Sequence, residues 1–224
     1  MAGRSALLVG ASGLVGGHAL RILAQDGRWS RVVTLDRRPL AVASERHEPH
    51  VVDFTALDEI DDERFACDDV FCCLGTTIKA AGSQEAFRWV DLELPAAIGH
   101  RARSAGATQM LLVSAYGADT DSRIFYNRTK GEAEDAISDL GFASVQILRP
   151  SLLAGDRQET RVGERIGLAV FGALRPLLVG PLAPFRPTPA ESVARMMVAV
   201  AARRSPGVHV YGPQAIASGA DGTA

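Results

Sequence analysis

The sequence predicts an α/β fold, a doubly wound parallel sheet with a reduced C-terminal substrate region. Three observations carry that reading. Short apolar runs of strand length alternate with amphipathic stretches, the order that right-handed crossovers turn into a parallel sheet. A glycine-rich loop, Gly10-Ala11-Ser12-Gly13-Leu14-Val15-Gly16, joins the first run directly to the first amphipathic stretch. Toward the C-terminus the chain is instead broken by glycine and proline into short pieces.

In order, residues 6–9 are a strand, with Ala6, Leu7, Leu8 and Val9 forming an unbroken apolar run. Residues 16–26 follow as a helix and residues 31–35 as the second strand. A third strand is read at residues 51–54 and a fourth at 69–74. Residues 95–105 carry a helical pattern that leads into a fifth strand at 110–114. A helix over 127–140 ends at Gly141, and Pro150 stops a sixth strand over 144–148, because it has no amide to continue a ladder. Such short runs, apolar toward both faces, mark a buried parallel sheet. Between residues 151 and 190 five glycines and five prolines leave irregular pieces, which at the carboxyl ends of such a sheet form the substrate side of the cleft. Residues 191–203 read as a last helix, 208–211 as a late strand and 213–224 as a loose tail.

The chain has 224 residues, 47% hydrophobic and 22% charged, the balance of a packed globular protein. One domain over residues 1–224 is expected, large enough for a core without disulfides. Formal net charge is -2, which leaves no basic excess to hold a nucleic-acid backbone, so nucleic acid is not an expected partner. Cys67, Cys72 and Cys73 have no CxxC spacing and no histidine at a zinc-like interval; reduced, mostly buried thiols and no metal site are expected. Residues 1–5 enter the first strand without a basic and then apolar leader. No apolar stretch approaches the roughly 20 residues of a membrane span. A cytoplasmic protein without membrane contact is expected, with a small-molecule substrate; a homodimer or a protein partner is left open.

In the loop, Gly10 permits a tight turn, Gly13 lets the backbone approach a pyrophosphate, and Gly16 lets the helix pack against the strand. Ser12, Leu14 and Val15 complete the candidate cofactor loop, and the helix N-terminus offers amide donors to an anion. Strand, loop and helix occur in the order of a Rossmann dinucleotide site. Asp36 ends the second strand 20 residues after Gly16, where an acidic side chain accepts from the adenosine ribose hydroxyls of NAD. Arg37 and Arg38 follow at once, and guanidinium groups there suit the 2′-phosphate of NADP. The two signals conflict, with a slight balance toward NADP. Asp53 is placed to accept from the adenine amino group with Phe54 beside the ring. Leu74, Gly75 and Thr76 end the fourth strand, where Gly75 lets the chain pass close to the cofactor.

Ser114 ends the fifth strand, and 12 residues later Tyr126 and Lys130 fall at i and i+4 on one helical face. Together they read as a catalytic set. A phenol titrates near 10, too high for general acid/base work at neutral pH, and a neighbouring ammonium lowers it. Lys130 does this while reaching the nicotinamide ribose, and Ser114 holds the substrate oxygen.

These residues, with the segments around Gly10 to Gly17, Cys72 to Thr77, Leu111 to Asp119, Tyr126 to Glu134 and Leu148 to Glu164, resemble the short-chain dehydrogenase/reductase superfamily. The resemblance narrows to its atypical branch, which includes the Tat-interacting oxidoreductase-like proteins. It implies a Rossmann sheet, an NAD(P) cofactor, catalytic roles for Ser114, Tyr126 and Lys130, and contact of Pro150 and Leu152 with the nicotinamide end. Asp36 departs from a branch described as NADPH-binding.

An NAD(P)-dependent oxidoreductase acting on a small carbonyl or alcohol is the leading functional reading. A cofactor-sensing regulatory protein with little turnover is the second. A nucleotide-sugar epimerase or dehydratase ranks third, since residues 151–224 leave little room for a sugar-nucleotide domain. Arg157, Arg161, Arg165 and Arg186 read more readily as solvated charges than as an acidic-substrate pocket.

Overall fold

A computed structural model describes residues 3–40, 44–154 and 187–221. Its strands are β1 (Arg4–Val9), β2 (Trp29–Asp36), β3 (His47–Val51), β4 (Asp69–Cys72), β5 (Gln109–Val113), β6 (Ser144–Leu148), a short pair β7 (Leu153–Ala154) and β8 (Thr188–Pro189), and β9 (Gly207–Tyr211). Seven of them form one sheet in the order β3-β2-β1-β4-β5-β6-β9. Every pairing in it is parallel. This is the Rossmann arrangement, and the strand order reverses between β1 and β4, where a ligand crevice opens at the carboxyl ends.

The helices are α1 (Leu14–Gln25), α2 (Ile78–Ala81), α3 (Gln84–Arg88), α4 (Leu94–Ser104), α5 (Phe125–Ser138), α6 (Ala190–Arg203) and α7 (Pro213–Asp221). They cover both faces of the sheet because side chains alternate along each strand. Ala6 and Leu8 of β1 pack with Leu20 of α1 and Val193 and Met197 of α6 on one face. Leu7 and Val9 pack with Ile98 of α4 and Ile137 of α5 on the other.

Three elements differ from the sequence reading. The third strand covers His47–Val51, not 51–54, and residues from Phe54 to Glu59 form a 3-10 turn. As an edge strand it needs little apolar character, and it tolerates Pro49, so no apolar run betrays it. The helix read from residue 95 begins earlier: α3 runs into a π-helical turn, Trp89–Glu93, which leads into α4. The expected tail instead holds α7 to Asp221, anchored by a fully buried Ile216. Most of the segment read as substrate side, including Arg157, Arg161, Arg165 and Arg186, lies outside the described residues. Its two ends meet: β7 pairs with β8, and the Thr188 amide donates to the Leu152 carbonyl at 2.8 Å.

Cys67, Cys72 and Cys73 are free thiols. Burial pushes Cys67 up to about 12 and Cys72 up to about 11, so neither is a ready thiolate. No helix among the described residues is long and apolar enough to cross a membrane.

Candidate active site

The glycine loop turns from β1 into α1. Gly10 has φ +81°, and a Cβ there would lie 2.7 Å from the Cys73 carbonyl group. A Cβ at Gly16 would lie 2.1 Å from the Gly10 carbonyl oxygen, so only glycine lets the helix start this close to the turn. Gly13 occupies the N-cap position without a side-chain cap, and the first turn of α1 has no acidic residue. The opening of the helix therefore carries neither a side-chain cap nor a negative charge, with Ser12 and Gly13 exposed, Leu14 half-buried and Val15 in the core.

Asp36 ends β2 and is 3% exposed. Its Oδ1 accepts the Ser12 amide at 3.2 Å, which ties the loop to β2. Its Oδ2 is buried without a well-formed hydrogen bond, although Ala11 and Ser12 lie near enough to favour the charged form. Burial outweighs them and raises the Asp36 carboxyl above its usual range. Arg37 and Arg38 are exposed. Asp53 is exposed too, and its Oδ1 accepts from the Thr55 amide at 2.9 Å and hydroxyl at 2.7 Å. Phe54 corrects the expectation of a ring beside adenine: it is 6% exposed and committed to the core under the sheet. These buried and loop groups fit a dinucleotide: an uncapped helix start for the pyrophosphate and an unsatisfied carboxylate oxygen for a ribose hydroxyl.

At the end of β4 the chain passes through Leu74, Gly75 and Thr76 over a buried ion pair. Lys130 Nζ lies 2.6 Å from Oδ1 of Asp91, and the Thr76 amide donates to Asp91 Oδ2 at 2.8 Å. A Cβ on Gly75 would sit 3.5 Å from Asp91 Oδ1 and 3.9 Å from Lys130 Nζ, in ordinary contact. The Thr77 hydroxyl, by contrast, caps α2 by accepting the Ala80 amide at 3.1 Å. Sequence reasoning did not single out Asp91. It stands on the π-helical turn, which interrupts the regular pitch and is a frequent device at functional sites.

Tyr126 and Lys130 lie one turn apart on α5, as expected, and the Tyr126 ring packs 5.5 Å from that of Phe87. The expected lowering of the phenol is not what the surroundings produce. Burial raises Tyr126 above its usual 10.0; Lys130 works to lower it, and Asp91 opposes Lys130. Burial also works to lower Lys130, but Asp91 and Tyr126 outweigh it and raise the ammonium.

Ser114 is not turned to this pair. Its hydroxyl donates to Oε1 of Glu134, two turns beyond Tyr126 on α5. Arg149 clasps the same carboxylate, with Nε 2.9 Å from Oε1 and Nη2 2.5 Å from Oε2. Ser114 and Glu134 are 5% and 4% exposed, so the serine serves a buried polar network. The β5–β6 ladder continues past it, the Ser114 amide donating to Leu148 and the Tyr116 amide to Pro150, both at 2.8 Å. Pro150 is buried there, and Leu152 beyond it is 55% exposed. Gly131, next to Lys130, admits the Asp119–Thr120 loop onto α5: a Cβ would meet the Thr120 amide nitrogen at 2.5 Å.

Parallel sheet order, glycine loop and a half-buried tyrosine one turn from a buried lysine define a Rossmann protein of the short-chain dehydrogenase/reductase type. Residues 6–212 match the NAD dependent epimerase/dehydratase family, and the chain belongs to that family. Protein HTATIP2 of Rattus norvegicus is 35% identical over 177 residues, 78% of this chain and 73% of its own length, which bears out the resemblance read from the sequence. Protein fmp52, mitochondrial, of Emericella nidulans is 35% identical over 176 residues, covering 75% of this chain and 74% of that protein. Among solved structures, MoeE5 in complex with UDP-glucose and NAD superposes with a TM-score of 0.68 at 20% identity, over 92% of this chain and 74% of that one. The expected cytoplasmic location is overturned by the fungal relatives, which are named mitochondrial.

Proposed function

We propose that this protein is an NAD(P)-dependent oxidoreductase that reduces or oxidises a small carbonyl or alcohol. The observation that carries the reading is the Tyr126–Lys130 pair, set one helical turn apart under Gly75 at the carboxyl end of β4. A bound nicotinamide dinucleotide would supply or accept the hydride. Gly10, Gly13 and Gly16 with the start of α1 would hold its pyrophosphate, and Lys130 would orient the nicotinamide ribose. Tyr126 would exchange a proton with the substrate oxygen, placed by the flanking loops. Titrating the protein with NADH and NADPH and then screening carbonyl compounds for cofactor oxidation tests this. No oxidation with any acceptor, despite tight binding, would count against it.

On the cofactor, the buried and unsatisfied Oδ2 of Asp36 supports NAD: a ribose hydroxyl can satisfy that oxygen, whereas a 2′-phosphate would face a carboxylate. This moves the balance from the exposed Arg37 and Arg38.

A cofactor-sensing role with little turnover is favoured by one specific observation: Ser114, the expected holder of the substrate oxygen, is committed to Glu134. An epimerase or dehydratase reaction is compatible with the family, and a sugar nucleotide in the substrate screen distinguishes it.

A further inference from the structure

We infer that Asp91 is a positioning residue of this site: its carboxylate holds Lys130 and the Thr76 amide together and offsets the Lys130 charge beside Tyr126, the group that exchanges a proton with the substrate oxygen. The inference rests on the oxidoreductase reading above and adds the residue that fixes its lysine.

The geometry makes Asp91 a hub. One oxygen faces Lys130 Nζ at 2.6 Å and the other accepts the Thr76 amide at 2.8 Å, so helix α5 and the loop after β4 are fastened to one carboxylate. Asp91 is 1% exposed and Lys130 5%, so water does little to screen either charge. A carboxylate at this depth is retained only with a partner, and the π-helical turn delivers it to one.

The charge sum around the phenol follows. Along α5 the group facing Tyr126 is Lys130, from the π-helical turn it is Asp91, and from α3 it is the apolar ring of Phe87. Cys72 of β4 bears on Lys130 from below and stays a neutral thiol. One positive and one negative charge thus act on a half-buried phenol, and its partial burial together with Asp91 favours the neutral form. A lone ammonium would instead favour the phenolate. In the reduction this permits, a bound reduced nicotinamide would supply the hydride to the carbonyl carbon and be left oxidised, the C=O π pair would move to oxygen, and that oxygen would take the Tyr126 proton. The product would be an alcohol, and the Tyr126 phenolate would regain its proton from water.

The test reads the phenol directly and requires neither substrate nor cofactor. With tyrosine labelled at the ring carbon bearing oxygen, the protein's 3 tyrosines are followed by NMR against pH, and Tyr126→Phe identifies the Tyr126 signal. In Asp91→Asn the Tyr126 midpoint is expected to fall by about one pH unit or more, and in Lys130→Met to rise. The double variant, which removes both buried charges and so leaves neither unpaired, is expected to titrate near the wild type. Midpoints that stay put in the single variants, or move in the same direction, overturn the inference. If the midpoints shift as expected while no carbonyl compound oxidises NADH or NADPH, the oxidoreductase reading fails and the charge balance stands.

Discussion

Ser114 and Glu134, 20 residues apart, share a buried hydrogen bond in which the serine hydroxyl donates to a carboxylate already clasped by Arg149. The serine at the end of β5 is thereby a structural partner of α5. Ser114→Ala should cost about 1–3 kcal/mol of stability, because Glu134 loses a buried donor. Turnover should fall by less than about tenfold. Chemical denaturation and steady-state rates with one carbonyl acceptor check this; unchanged stability with a loss as large as that of Tyr126→Phe would return Ser114 to the chemistry.

Gly16→Ala places a methyl 2.1 Å from the Gly10 carbonyl oxygen and 2.7 Å from its carbon, both backbone atoms that no rotamer change can move. The helix start must shift away from the turn proposed to cradle the pyrophosphate. Destabilisation of about 1–3 kcal/mol is expected, with NADH binding lost. Fluorescence titration beside a denaturant melt reads both, and a stable variant with wild-type affinity would show that the loop does not hold the cofactor.

Asp36→Asn removes the carboxylate proposed to face the adenosine ribose while retaining an acceptor for the Ser12 amide. The ratio of NADPH to NADH affinity should rise by about tenfold, or 1.4 kcal/mol, with Arg37 and Arg38 then dominating. Separate titrations of the two cofactors measure the ratio. An unchanged ratio would mean that Asp36 does not select the cofactor.

Alkaline stability should depend on Lys130. Its folded-state ammonium is raised above the usual 10.5, chiefly by Asp91 against the effect of burial, so its stabilisation is fully present below that pH. It is lost as pH rises through the higher folded value. Tyr126, whose phenol burial raises above 10.0, acts in the same direction, because the unfolded chain ionises first. Urea melts at increasing pH should show a decline beginning near pH 10, shallower in Lys130→Met; identical slopes would show that the pair is not coupled to folding.

The sheet was largely legible because buried parallel strands are continuous apolar runs, and the loop because Gly10 and Gly16 stand where no Cβ fits. Tyr126 and Lys130 were legible from helical spacing. The strand His47–Val51 was hidden, since an edge strand keeps only His47 buried and tolerates Pro49. Asp91 was hidden for a different reason. In a helical stretch an isolated aspartate reads as a surface charge, and only the π-helical turn buries it against Lys130. The Ser114–Glu134 hydrogen bond was hidden because a place at a strand end does not reveal which turn of α5 the hydroxyl meets. The final helix passed as a tail because Ile216 is its one large apolar residue and the others are proline, small or polar.

The most direct test of the oxidoreductase reading is Tyr126→Phe, compared with the wild type for NADH binding and for NADH oxidation by whichever carbonyl acceptor the screen supports. The phenol's ring packing against Phe87 is preserved in this variant, so binding should stay within about twofold while turnover falls by about 100-fold or more. Turnover equal to the wild type would contradict the account.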